Sequence, residues 1–368
     1  MSADDDLTDA VEATEFIVEP LLPWQSAPLS QLLAQRAKWH HATLLHGPAG
    51  TGVRRYALHL AQGLLCRIPV DNMACEQCDA CRLFSSGSHP DFRLVERMFV
   101  KKGEGEPRLR DAIIIDQVRA LIDHFLYLTS HRQGAKVVVI HLAEEMNPAA
   151  ANALLKSLEE PPDGTWFILA SHQLRLLKPT VISRCRRIAA PQPSVADAEA
   201  WLREQGATTP ALALAQAGGA PLKALAMIDE DYQAERKRFL DRLSDPKRLS
   251  IVAMGAEIEM GPRALRKERL HLWIEWLTTW SYDLAALATA CARSSQASQA
   301  SQAGAPRSTL RYNIDFAEAL SRLAATVAPR EVLRYHRSLL QDRALLSHPL
   351  NPRLVVESAL DGYRRLVP

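Results

Sequence analysis

Two stretches of the chain, Lys136-Val137-Val138-Val139-Ile140 apart from its first residue and Trp166-Phe167-Ile168-Leu169-Ala170, are continuous apolar runs, and Ala42-Thr43-Leu44-Leu45-His46 reads as a short buried strand. Continuous runs of this length predict strands buried on both faces, as in a parallel sheet, whereas a half-exposed strand would alternate. Helical spacing lies between them. Leu29, Leu32 and Leu33 mark a helix within 24–41, and Tyr56, Leu58, Leu60, Leu64 and Leu65 mark another. A third runs from about Pro148 to Glu160 and is stopped by Pro161-Pro162. Strand, helix and strand alternate, so the first half is expected to be α/β.

Beyond Pro191 the pattern is helical only. An Ala- and Leu-rich segment from Ser194 to Ile228 precedes a longer helical region, which places boundaries near 190 and 232. Leu270, Trp273, Leu277, Trp280, Leu284 and Leu287 recur every three or four residues and form one apolar face of a long helix, read as the core of a bundle. The segment 294–306 carries Ser-Gln-Ala three times and is expected to be a flexible loop. Residues 1–19 hold Asp4, Asp5, Asp6, Asp9, Glu12, Glu15 and Glu19 with few large apolar groups, the composition of a disordered acidic tail.

Composition narrows the class. At 368 residues, with 47% hydrophobic and 23% charged, the chain can bury more than one core. A net charge of +2 gives no overall field that would favour nucleic acid or membrane, so any DNA contact would be local. No apolar run of about 18 residues is present, and the N-terminus is acidic where a signal peptide would be basic; a cytoplasmic protein without a membrane partner is expected. In that compartment six cysteines point to metal or core and away from disulfides.

Gly47-Pro48-Ala49-Gly50-Thr51-Gly52-Val53-Arg54 sits between a strand and a helix and fits the frame G-x-x-x-x-G-K-[ST] of a phosphate-binding loop. Its chemistry is missing. Val53 stands where a lysine would reach the β and γ phosphates, and Arg54 stands where a hydroxyl would ligate magnesium. The next buried strand should end in an acidic pair that holds the metal, but His141-Leu142 follow Ile140. Glu144 and Glu145 come three residues too late to replace it. With both motifs degenerate, productive ATP binding is not expected.

Cys66, Cys75, Cys78 and Cys81 give C-x8-C-x2-C-x2-C, four sulfur ligands with two tight turns between them. Such a set suits a closed, structural zinc site; a redox C-x-x-C pair would leave two thiols without a role. Arg184 follows Ser183 near the end of the α/β part and, taken alone, reads as a surface residue.

The segment His40-His41-Ala42-Thr43-Leu44-Leu45, the degenerate loop, the four cysteines, Ala151-Asn152-Ala153-Leu154-Leu155-Lys156-Ser157-Leu158-Glu159-Glu160-Pro161-Pro162 and Ser183-Arg184-Cys185 together resemble the delta-prime family of bacterial DNA polymerase III clamp-loader subunits, of the AAA+ class. The resemblance covers about residues 22–230 and is only general beyond them. It implies an α/β AAA+ P-loop domain over 20–190 with a zinc insertion at 66–81, a small helical lid over 191–232, and an all-α collar over 233–368. It further implies a stator that does not hydrolyse ATP and belongs to the DNA-directed DNA polymerase holoenzyme. Gamma/tau and delta subunits are the implied partners, with the beta clamp and primed DNA in the complex. Arg184 is the implied finger for a neighbour's ATP, whereas Lys223, where an active relative has a second nucleotide sensor, is given no role. Two other readings compete. An active gamma/tau-type ATPase requires Lys, Ser/Thr and acids that Val53, Arg54, His141 and Leu142 replace. A zinc-dependent nucleic-acid module calls for a basic, aromatic surround, but Glu76 and Asp79 lie inside the cysteine cluster.

Overall fold

A computed structural model describes residues 16–100, 108–127, 134–296, 310–346 and 350–367. The chain divides into two compact units, one up to Asp197 and the other from Ala198 onward.

The first unit contains, in order, α1 (Ser26–Ala34), β1 (Ala42–His46), α2 (Val53–Leu65), α3 (Asp79–Ser85), β2 (Phe92–Val95), β3 (Phe99–Val100), β4 (Arg108–Leu109), α4 (Ile115–Leu121), β5 (Lys136–His141), α5 (Pro148–Glu159), β6 (Thr165–Ser171), α6 (Pro179–Ile182) and β7 (Arg186–Ala189). Five strands form a parallel sheet in the order β2-β5-β6-β1-β7, with Leu44 opposite Leu169 and Val139 opposite Ile168. The apolar runs are buried as expected. Val138 and Ile140 face a layer with Leu154, Leu158 and Phe125, while Val137 and Val139 face Tyr56, Leu60 and Phe84. Both layers are closed, so the middle positions of the central strands are apolar apart from Thr43, and polar residues gather at the strand ends.

Two strands, β2 and β7, were not legible as apolar runs. They form the edges of the sheet, and Arg186 and Arg187 of β7 are exposed. The helix expected over 24–41 is shorter. Pro23 opens a 3-10 turn before α1, and a second 3-10 turn at Arg36–Lys38 ends it.

Residues 1–15 of the expected acidic tail lie outside the described residues, and residues 16–19 depart from the expectation. Phe16 packs on Phe84 and Phe92, each at 5.6 Å between ring centroids, and Glu19 pairs with Arg55. Phe16 and Val18 supply enough apolar surface to anchor this end.

The second unit is helical: α7 (Val195–Glu204), which begins just before it, then α8 (Pro210–Gln216), α9 (Pro221–Leu225), α10 (Glu230–Ser244), α11 (Ile251–Ile258), α12 (Arg263–Gln296), α13 (Ala317–Ala324), α14 (Pro329–Leu345) and α15 (Pro352–Leu366). Its main core draws on α10 through α15, and the stripe of α12 lies at its centre. Trp273, Trp276 and Trp280 each donate their indole N–H, to Glu235, Tyr232 and Tyr363 respectively, so the aromatic core leaves no indole of that stripe unpaired. Asp283 is fully buried on α12 and accepts the backbone N–H groups of Arg311, Tyr312 and Asn313 at 2.7–3.4 Å. Lys223 pairs with Glu275. The expected loop 294–306 falls outside the described residues except for 294–296, which end α12.

Candidate functional site

The glycine-rich loop leaves β1 at His46 and enters α2 at Val53. Gly50 and Gly52 have φ of 79° and 87°, a backbone region that favours glycine. The loop is bound to its own chain. Gln25, fully buried, donates its amide N–H to the carbonyls of Thr51 (3.3 Å) and Gly52 (3.0 Å), and Thr51 Oγ1 donates to the Pro48 carbonyl at 2.7 Å. A Cβ on Gly52 would stand 2.4 Å from Leu22 Cδ1, so the segment before α1 lies directly on the loop. Val53 is buried to 1% exposure and belongs to the core beneath α2.

Arg54 points across the loop to Glu96, the residue after β2. Its Nε and Nη2 each donate to a different carboxylate oxygen at 3.2 Å, a forked pair. His141, at the end of β5, contacts the same carboxylate through Nδ1 at 3.2 Å. The two positions that would bind magnesium in an ATPase thus meet on one acidic side chain. Burial pushes the Glu96 carboxyl up, but the His141 hydrogen bond and the Arg54 fork outweigh it and hold it at about 2. After His141 the chain turns through Leu142 at φ 59° into a 3-10 turn, which carries the next two acids elsewhere. Glu144 accepts the His172 N–H at 2.8 Å, and Glu145 pairs with Arg97 at 2.6 Å while burial raises its carboxyl.

The sequence gives no motif for Glu96 or Gln25. Their only signal is position: Glu96 closes a short run, Phe92–Val95, whose strand character was itself hidden at the sheet edge.

The four cysteines converge. One sulfur from each of Cys66, Cys75, Cys78 and Cys81 lies within 4.8 Å of all the others, and Cys75 and Cys81 are 4.0 Å apart. A tetrahedral zinc with Zn–S bonds of about 2.3 Å requires sulfurs about 3.8 Å apart, so the set fits a metal such as zinc with little movement. The turn is already shaped for it. Asp71 and Asn72, both at positive φ, close a reciprocal hairpin between Val70 and Met73, and Glu76 turns at φ 59° between the second and third ligands. Backbone N–H groups of Cys75 and Cys78 donate to the sulfurs of Cys66 and Cys75. Burial pushes the Cys66 and Cys81 thiols up; at Cys78 backbone hydrogen bonds overcome burial and hold the thiol at about 6. A bound divalent cation would deprotonate all four.

Arg184 follows α6, whose Val181 is fully buried. Its Nε donates to Glu159 Oε1 at 2.6 Å, Nη2 reaches the same oxygen, and Nη1 donates to the Thr180 carbonyl at 2.8 Å. Lys178 holds the other end of α6 to α5 through Asn152 Oδ1 and the Pro148 carbonyl, both at 3.0 Å. Burial raises the Cys185 thiol to about 12, which makes it inert at neutral pH.

Residues 25–194 match the family model described as "DNA polymerase III, delta subunit". The curated "DNA polymerase III subunit delta'" of Pseudomonas aeruginosa is 38% identical over 268 residues, covering 72% of this chain and 77% of that protein. The proteins of the same description from Haemophilus influenzae and Yersinia pestis are 34% and 32% identical, covering 76% and 75% of their lengths and 72% and 71% of this chain. Among the described residues no helix is long and apolar enough to cross a membrane.

Proposed function

This chain belongs to the DNA polymerase III delta' subunit family, and from that premise we propose that it is a non-hydrolysing stator of the clamp loader, which helps to load the beta sliding clamp onto primed DNA. One observation carries the non-hydrolysing part. Arg54 and His141, at the loop and strand-end positions where the motif of an ATPase would hold magnesium, both bind the Glu96 carboxylate instead, and this supports the reading. The guanidinium in direct contact with the Glu96 carboxylate disfavours a divalent cation there, and the motif positions supply neither the lysine that reaches the phosphates nor the acids that hold magnesium and polarise water.

The same reading gives Arg184 to a neighbouring gamma/tau subunit as an arginine finger. Its guanidinium is planar and forked, suited to the charge that develops on a transferred phosphoryl group. In this reading the first unit through residue 190 is the AAA+ domain, 191–232 the lid and 233–368 the collar that joins gamma/tau and delta in a cytoplasmic assembly. Cys66, Cys75, Cys78 and Cys81 hold one structural zinc, which cross-links the insertion and takes no part in catalysis.

The test uses two preparations. The chain alone should show no magnesium-dependent ATP turnover, and the chain assembled with an ATPase-competent partner should raise that partner's DNA-stimulated turnover. Hydrolysis by the chain alone that vanishes on changing Gly52 would overturn the reading.

A further inference from the structure

The guanidinium of Arg184 is already engaged. All three of its nitrogens have acceptors within its own chain: Nε and Nη2 on Glu159 Oε1, and Nη1 on the Thr180 carbonyl and the Ser183 hydroxyl. The backbone beneath it is fixed, because Val181 is fully buried and Lys178 ties α6 to α5. Only the side chain is left to swing. A phosphate and a carboxylate compete for the same guanidinium fork, and Glu159 lies beside Glu160 at the end of α5. An incoming anion must therefore displace one negative charge while it is repelled by another.

We propose that Glu159 is a positioning residue that keeps Arg184 in reserve and yields it only to a terminal phosphate dianion presented by a neighbouring subunit. The proposal rests on the finger reading of Arg184. The arrangement suits a releasable contact. The pair is part-exposed, at 30% and 48% for the two side chains, so water screens it and the hold is weak enough for a triphosphate to break. A diphosphate, with no terminal phosphate to offer at that place, leaves the pair closed. Glu159 thereby makes the finger discriminate between the nucleotide states of its neighbour and limits turnover in the absence of DNA.

The experiment compares wild-type chain, Glu159→Gln, Arg184→Ala and the double variant, each assembled with an ATPase-competent gamma/tau-type subunit. Steady-state turnover is measured with and without primed DNA, together with the KM for ATP and inhibition by ADP. Thermal melting of each chain alone controls for folding. Glu159→Gln should raise DNA-independent turnover about two- to fivefold, lower the KM and strengthen ADP inhibition, and these changes should vanish when Arg184 is also Ala. Turnover and ADP inhibition unchanged by Glu159→Gln, while Arg184→Ala lowers turnover, would overturn the latch and leave the finger standing. A loss with Glu159→Gln as large as that with Arg184→Ala would make Glu159 an orienting partner and overturn the reserve role. If Arg184→Ala itself has no effect, the finger reading fails and the latch fails with it.

Discussion

Arg54 and Glu96, 42 residues apart in sequence, meet through two N–H···O bonds of 3.2 Å, and His141 closes on the same carboxylate. The network ties the first turn of α2 to the ends of β2 and β5.

Glu96 should make stability depend on acid pH. Its folded value of about 2 lies below the ordinary 4.5, so its contribution is fully present above about 4.5 and is lost as pH falls through about 2. Glu96→Gln should destabilise the first unit by on the order of 1–3 kcal/mol at pH 7 and by much less near pH 2. Denaturant melts of both proteins across that range check the sign; an equal difference at both ends would mean that the carboxylate charge is not involved.

Restoring the loop motif should not restore activity. Val53→Lys with Arg54→Thr places a lysine in an apolar pocket and a hydroxyl at the metal position, yet the end of β5 still carries His141 in place of a carboxylate. No magnesium-dependent turnover is expected, and the buried lysine should lower the melting temperature. A turnover assay beside a thermal melt reads both effects.

Cys78→Ser should reduce zinc content from about one per chain and loosen the insertion, because metal held only by the folded form contributes folding free energy. The effect should reach Phe16, which packs edge-to-face on Phe84 of α3, the helix that carries Cys81. Metal analysis and proteolysis near residues 16–22 would check it; an unchanged, zinc-free protein with four reactive thiols would exclude the site.

Arg184→Ala should leave melting temperature and zinc content nearly unchanged, within about 0.5 kcal/mol, since its ion pair with Glu159 is part-exposed. If Arg184 serves as a finger, turnover by the assembled complex should fall, and only in part where other ATP sites keep their own fingers. Arg184→Lys should not fully rescue it, as a point charge lacks the fork. Complex formation and DNA-stimulated hydrolysis measured on the same samples separate a finger from an interface contact.

In the second unit Asp283→Ala should cost about 3 kcal/mol or more, because it leaves three backbone N–H groups without their acceptor. Asp283→Asn should cost less, since its carbonyl keeps part of the set. Hydrogen exchange at Arg311–Asn313 reports the loss directly.

The sequence alone determined the three central strands of the sheet, because a strand covered on both faces is apolar at nearly every middle position and that pattern is local. It also determined the degenerate loop, the four thiols and the amphipathic stripe of α12, since each is set by residue type at short spacing. The tertiary structure decided what the polar groups do. Nothing near Glu96 in sequence indicates Arg54, nothing near Gln25 indicates the Gly52 carbonyl, and Arg184 gives no sign of Glu159, 25 residues before it. Burial follows from periodicity along one segment, but a charge finds its partner only where distant segments come to lie together. The edge strands β2 and β7 and the anchoring of Phe16 were hidden for the same reason: their environment is made by other parts of the chain.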